Sequence, residues 1–200
     1  MHRRILGPVT LAAFLSVAAL GQNQQGYLRV SIVKVKPDKR AEFDAAVKRM
    51  ADANRRHQGT DWIAAETIYG EGNTLYFCSL RPSLGEMEKG GEAFMAALAK
   101  AGGGPAGIAK TMQDLGNSMI SSRAELRRRR TDLSSNVPDE AGLLKLIGES
   151  RYNRTTVIRI RPGRLADYEE QLRTNKAARE RSGSRTPVFV SQSAAGQQGT

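Results

Sequence analysis

The 200-residue sequence predicts an α+β fold, an antiparallel sheet with helices on one face. Three observations carry this. A strand, a helix, a hairpin, two helical stretches and a further strand follow one another along the chain. The strand and turn at residues 28–37 return in character at residues 153–162, a displacement of 125 (162 − 37). Hydrophobic residues make up 40% of the chain but aromatics only 6%, so the core must be built from Ala, Val, Ile, Leu and Met. The length corresponds to about one to one and a half domains, which excludes both a disulfide miniprotein and a large multidomain enzyme.

Residues 1–21 read as a secretory signal peptide. His2, Arg3 and Arg4 form a basic head, residues 5–20 are uncharged and mostly apolar, and Ala19 and Gly21 offer small side chains to a signal peptidase. The run contains Pro8 and falls short of the roughly 20 residues that span a bilayer. The mature protein is expected to start near Gln22, to be periplasmic or secreted, and to have no membrane span. The whole chain carries 31 basic and 20 acidic residues, a net +11; without Arg3 and Arg4 it keeps 29 against 20, or +9. That charge favours anionic partners.

The first strand, residues 28–35, clusters β-branched residues ahead of Pro37, which cannot continue a central strand but suits the first turn of a helix. In that helix Phe43, Val47, Met50 and Asn54 share a stripe that is apolar except at its last member, and the helix ends near Gly59. Val33 and Val35 are expected to pack on Phe43, Val47 and Met50. Residues 62–69 and 74–80 form a hairpin around Gly70-Glu71-Gly72-Asn73. A short stripe (Phe94, Ala97, Leu98, Ala101) and a longer one (Ile108, Met112, Leu115, Met119) flank a break at residues 102–105, and a strand follows at 124–129. After a turn at residues 134–138, residues 139–147 form a short helix with Leu143, Leu144 and Ile147 apolar. The second copy repeats strand, helix (residues 164–181) and a strand around 188–191. The predicted domains are therefore the signal peptide at 1–21, a first repeat at 22–133, a helical linker at 134–152 and a second repeat at 153–200. That second repeat is incomplete, because its hairpin lacks a second strand.

The motif Val33-Lys34-Val35-Lys36-Pro37 with Glu42-Phe43 recurs as Ile158-Arg159-Ile160-Arg161-Pro162 with Asp167-Tyr168. In this it resembles the ferredoxin-like dimeric α/β-barrel superfamily, in particular its NIPSNAP and antibiotic-biosynthesis-monooxygenase-like members. The resemblance implies a sheet with one face on helices and the other lining a cavity, and self-association through the barrel-forming sheet. It leaves activity open, since the superfamily holds monooxygenases, haem-degrading enzymes, isomerases and proteins of no known activity. The haem-degrading branch uses an Asn, a Trp and a His together. Residues 27–35 contain no Asn, so Trp62 and His57 inherit no such role.

Strand alternation puts Ser31, Val33 and Val35 on one face and Val30, Ile32 and Lys34 on the other, and Val157 and Arg159 repeat the second set. Ile32, Lys34, Trp62, Val157 and Arg159 are thus the ligand-pocket candidates, with Lys34 and Arg159 supplying charge for an anion. Arg127, Arg128, Arg129 and Arg130 are anion-binding candidates. Export and the lack of interleaved aromatics argue against nucleic acid as their target; an anionic envelope component fits better. His57 reads as a helix-end residue and Cys78 as a small buried one. One Cys and two His preclude a structural zinc site of the Cys/His kind and an intrachain disulfide, and no metal or cofactor is expected. The expected function is an exported small-ligand-binding or interaction module without a catalytic site. The alternative is a cofactor-independent monooxygenase or haem-handling enzyme of the same fold.

Overall fold

A computed structural model describes residues 26–102 and 104–195; residues 1–21, expected to be a signal peptide, lie outside them. Strand β1 (Tyr27–Val35) occupies the middle of the sheet because both of its edges are paired. On one side β3 (Thr74–Arg81) runs antiparallel to it from Tyr27↔Arg81 to Lys34↔Thr74. On the other, β4 (Met119–Arg129) runs antiparallel from Tyr27↔Arg128 to Val35↔Met119. A short β2 (Ile63–Glu66) edges β3, and β5 (Ser191–Ala195) edges β4, giving the order β2-β3-β1-β4-β5.

Between β1 and β2 lies α1 (Arg40–Arg56), entered through a tight turn at Pro37–Lys39 as the proline predicts. Between β3 and β4 lie α2 (Leu84–Gly102) and α3 (Pro105–Ser118). The first four strands with these helices form a β-α-β-β-α-β unit with strand order 2-3-1-4, so the fold is ferredoxin-like α+β.

Packing follows the stripes. Val33, Val35, Phe43, Ala46, Leu75 and Leu115 form the buried core, with Val47, Met50, Phe77 and Met119 against it. Phe43 is 2% exposed and is the largest side chain in that core. Asn54, the polar end of the α1 stripe, brackets the turn into β2: its Oδ1 accepts from the Thr60 amide at 2.9 Å and its Nδ2 donates to the Thr60 carbonyl. Ser83 starts α2 by accepting from the Glu86 amide at 3.2 Å, an N-terminal cap followed three residues on by Glu. The α2–α3 break is close: a Cβ on Gly107 would fall 1.6 Å from the Gly102 carbonyl oxygen, so only glycine fits there. β4 starts five residues before the expected 124, at Met119, because its early residues pair with the far end of β1.

Downstream, α4 (Glu140–Glu149) is capped by Asp139, whose carboxylate accepts from the Gly142 amide at 2.8 Å. Then α5 (Leu165–Arg181) repeats α1 at both ends with the 125-residue displacement (165 − 40 and 181 − 56). Even the left-handed residue after each helix corresponds, Gln58 at φ 50° and Gly183 at φ 67°. The packing does not correspond: α5 has no buried residue. The strand expected at residues 153–162 differs too. Residues 153–161 belong to no strand and are exposed, Val157 to 75%. β-branched residues favour a strand only where a neighbour completes the ladder, and no described strand lies beside them. The strand expected around 188–191 falls later, at β5, with Val188 bridging to Ser135, and β5 joins the edge of the first unit's sheet by pairing with β4.

Candidate functional site

The sheet has two distinct faces. Phe43 of α1 and Leu115 of α3 pack on the one that carries Val33, Val35 and Leu75. The other carries Val30, Ile32 and Lys34 of β1, beside Tyr76 and Cys78 of β3 and Arg123 and Glu125 of β4, by direct cross-strand register. Val30 and Ile32 are buried there. Lys34 forms an ion pair with Glu71 of the β2–β3 turn, which holds the Glu71 carboxyl below its usual range. Glu125 accepts from Arg127 at 2.6 Å along β4.

Of the pocket candidates, Ile32 and Lys34 therefore share a face, and the others stand apart from them. The Trp62 ring lies 5.5 Å from that of Phe77, which tilts against Phe43 at 6.4 Å, so Trp62 belongs to the helix-covered side. Arg159 lines a shallow groove of about 350 Å³ made only from residues 158–168, and Val157 projects from the same segment. Trp62 stands just before the short β2, where the phase of alternation depends on pairing with β3: Ile63 is opposite Cys78, which sets Trp62 on the side of Phe77.

The arginine run is divided. Alternation along β4 sends Arg127 and Arg129 to one face and Arg128 to the other. Arg127 is neutralised by Glu125. Arg130 bonds to Asp132 at 2.7 Å and also to Glu169 of α5, which raises its own pKa and holds both carboxyls below their ordinary values. Arg129 is half-buried, and that burial lowers its pKa. Arg128 lines a groove of about 290 Å³ with Tyr27, Gln192, Ser193 and Ala194. Tyr27, Arg29 and Arg81 were not among the candidates read from sequence. They sit at the ends of β1 and β3, and only the register Arg81↔Tyr27↔Arg128 brings them beside the run.

His57 caps the C-terminus of α1, its amide donating to the Ala53 carbonyl at 3.0 Å. Burial pushes the Cys78 thiol upward, against the requirements of a thiolate nucleophile, and Arg127 opposes that only secondarily. Among the described residues no group of three His, Cys, Asp or Glu could hold a metal ion, and no helix is long and apolar enough to cross a membrane.

The arrangement is a ferredoxin-like α+β fold: a split β-α-β sheet with helices over one face. No protein-family model matches the chain, and no curated protein does. Among solved structures the chain is similar to a NIPSNAP family protein of unknown function from Agrobacterium tumefaciens, with 9% identity, 53% of this chain and 89% of that one covered, and a TM-score of 0.41. An uncharacterized NIPSNAP-like domain protein from Burkholderia xenovorans gives 13% identity, 52% and 84% coverage, and a TM-score of 0.41. A putative antibiotic biosynthesis monooxygenase from Caulobacter crescentus gives 20% identity, 52% and 88% coverage, and a TM-score of 0.37. The fold assignment rests on the strand order and register of this chain itself.

Proposed function

We propose that the protein is an exported small-ligand-binding or interaction module, periplasmic or secreted, built as a tandem whose second unit lends its strand to the first. The observation that carries this reading is the face of β1 turned away from Phe43 and Leu115. There the buried Val30 and Ile32 form an apolar floor among the half-buried Tyr76 and Cys78, with the Lys34–Glu71 and Glu125–Arg127 ion pairs at its margins. A second copy meeting this face, or a small molecule held on it, would use the same floor. The Arg3-Arg4 head and the apolar run after it support export.

The test is to isolate the exported protein natively, sequence its N-terminus, record its absorption spectrum and release any bound small molecule for mass spectrometry. Cleavage near Gln22, a spectrum without a haem band and a stoichiometric released compound are expected. Intact residues 1–21 in a membrane fraction would overturn export, and a co-purifying haem would replace this reading with a haem-handling one.

A further inference from the structure

We propose that the end of the sheet around Tyr27 binds a small organic oxyanion, with Arg128 gripping its acid group and Tyr27 lying against its body. Cross-strand register aligns Arg81, Tyr27, Arg128 and Gln192 in one row across β3, β1, β4 and β5. Directly opposite residues of antiparallel strands point to the same side, so these four side chains share a face. Arg29, two residues along β1 from Tyr27, projects from that face as well. Arg29, Arg81 and Arg128 thus share one sheet face with Tyr27, and Arg128 lines a groove with it.

Their charge is not compensated. Among the described residues no carboxylate oxygen comes within 4 Å of Arg29, Arg81 or Arg128, whereas Arg40, Arg127 and Arg130 each have an acidic partner. Arg81 is held by neutral acceptors only: the Thr60 hydroxyl, the Asp61 carbonyl at 2.9 Å and the Leu80 carbonyl at 2.6 Å. These fix its position without cancelling its charge. Like charges on one sheet face repel, and an anion placed among them relieves that repulsion.

Gln192 adds a donor to the lining. The Gln192 Oε1 already accepts from Arg130 at 3.2 Å, which leaves its amide NH₂ as the outward group. Ser193, opposite Arg127 in register, adds to the groove's wall, and Arg128 offers a planar fork that matches a carboxylate or a phosphate. At about 290 Å³ the groove suits a single small acid rather than a nucleotide. This site lies on the opposite face of the sheet from Ile32 and Lys34, so it stands or falls independently of the floor described above.

The experiment titrates the isotopically labelled protein with benzoate, phenyl phosphate and inorganic phosphate at constant ionic strength, followed by amide chemical shifts. Saturable shifts at Tyr27, Arg128, Gln192 and Ser193 are expected, and the stronger of the two organic probes tells whether the site is made for a carboxylate or a phosphate. Arg128→Ala should weaken binding about tenfold or more, as loss of a charge-assisted pair does. Arg128→Lys should restore it only in part, because the ammonium has no fork. Arg29→Ala, at an exposed position, should weaken it less while leaving the fold intact. Arg154→Ala removes the same charge from the exposed segment and should change nothing. The proposal is overturned if no probe shifts those amides, if Arg154→Ala weakens binding as much as Arg128→Ala, or if Arg29→Ala and Arg128→Ala both bind like the parent protein.

Discussion

Helices α1 and α5 have the same length, the same displacement at both ends and the same left-handed exit, yet one is bolted to the sheet and the other is not. The difference lies in a few side chains. Where α1 places Phe43, Ala46 and Met50, α5 has Tyr168, Gln171 and Asn175 at the displaced positions. Phe43 and Ala46 are buried, while Gln171 and Asn175 bond to each other at 3.0 Å in solvent. The strand before each helix diverges in the same way: β1 has a neighbour on both edges and residues 153–161 have none. Helix length and exit are local properties, whereas burial requires a matching surface. α5 is held by polar ties instead, Glu169 to Arg130 and Lys176 to the Asp132 carbonyl at 3.2 Å.

Proline substitution should separate the two regions most. Val33→Pro removes a donor from the central strand and buried volume from the core, and should cost more than about 3 kcal/mol by chemical denaturation. Ile158→Pro, at the displaced position, should leave the unfolding midpoint unchanged; an equal loss would show that residues 153–161 pair in solution after all.

Truncating the aromatic residue of each helix comes next. Phe43→Ala should destabilise by about 3 to 5 kcal/mol, since the side chain is buried and leaves a cavity. Tyr168→Ala, half-buried beside a shallow groove, should cost less than about 1 kcal/mol. Comparable losses would mean that α5 has an apolar dock of its own.

A smaller contrast concerns the turns. Asn54→Ala frees the amide and carbonyl of Thr60 together and should cost about 1 to 2 kcal/mol. At the displaced position Arg179 donates to the Thr186 carbonyl at 3.1 Å, and Arg179→Ala should cost about half as much or less, also by denaturation.

The last contrast is in acid. Glu66, Asp132 and Glu169 are held below their ordinary carboxyl range by Arg40 and Arg130, so each contributes stability that is complete above the unfolded value and is lost as pH falls through the lower folded one. α1 retains its apolar core through that window, whereas α5 has no buried residue to hold it. Protection factors along Leu165–Arg181, taken against the intrinsic exchange rate at each pH, should therefore fall on acidification below the ordinary carboxyl range, about pH 4, while those along Arg40–Arg56 hold. Simultaneous loss in both helices would erase the distinction.

Much of the fold was legible from residue order. Pro37, the Phe43–Val47–Met50 stripe and the glycine-rich turn at 70–73 placed β1, α1 and the hairpin, because each is a local signal with a local cause. The two faces of β1 were legible too, and Val33 and Val35 do pack on Phe43, Val47 and Met50. What escaped depended on partners distant in sequence. The side taken by Trp62 follows from Ile63↔Cys78, and the separation of Arg127 from Arg128 and Arg130 follows from three strands meeting. In residues 153–161 the pattern of a strand is present and its neighbours are absent, so composition there gave an element that the fold leaves unmade. The row at Tyr27 was legible only as two strand ends until register joined them.

The exposed run Thr155-Thr156-Val157-Ile158-Arg159-Ile160 bears on solubility. An uncharged β-branched hexamer presented this openly would recruit identical segments from other molecules into stacked strands. Here Arg154, Arg159 and Arg161 put charge within and on both sides of the run, and Pro162 closes it with a residue that donates no hydrogen bond. Stacking two such segments in register would set each arginine against its own copy. The cationic residues that give this stretch no role in the core are the ones that keep it from becoming a seed for aggregation.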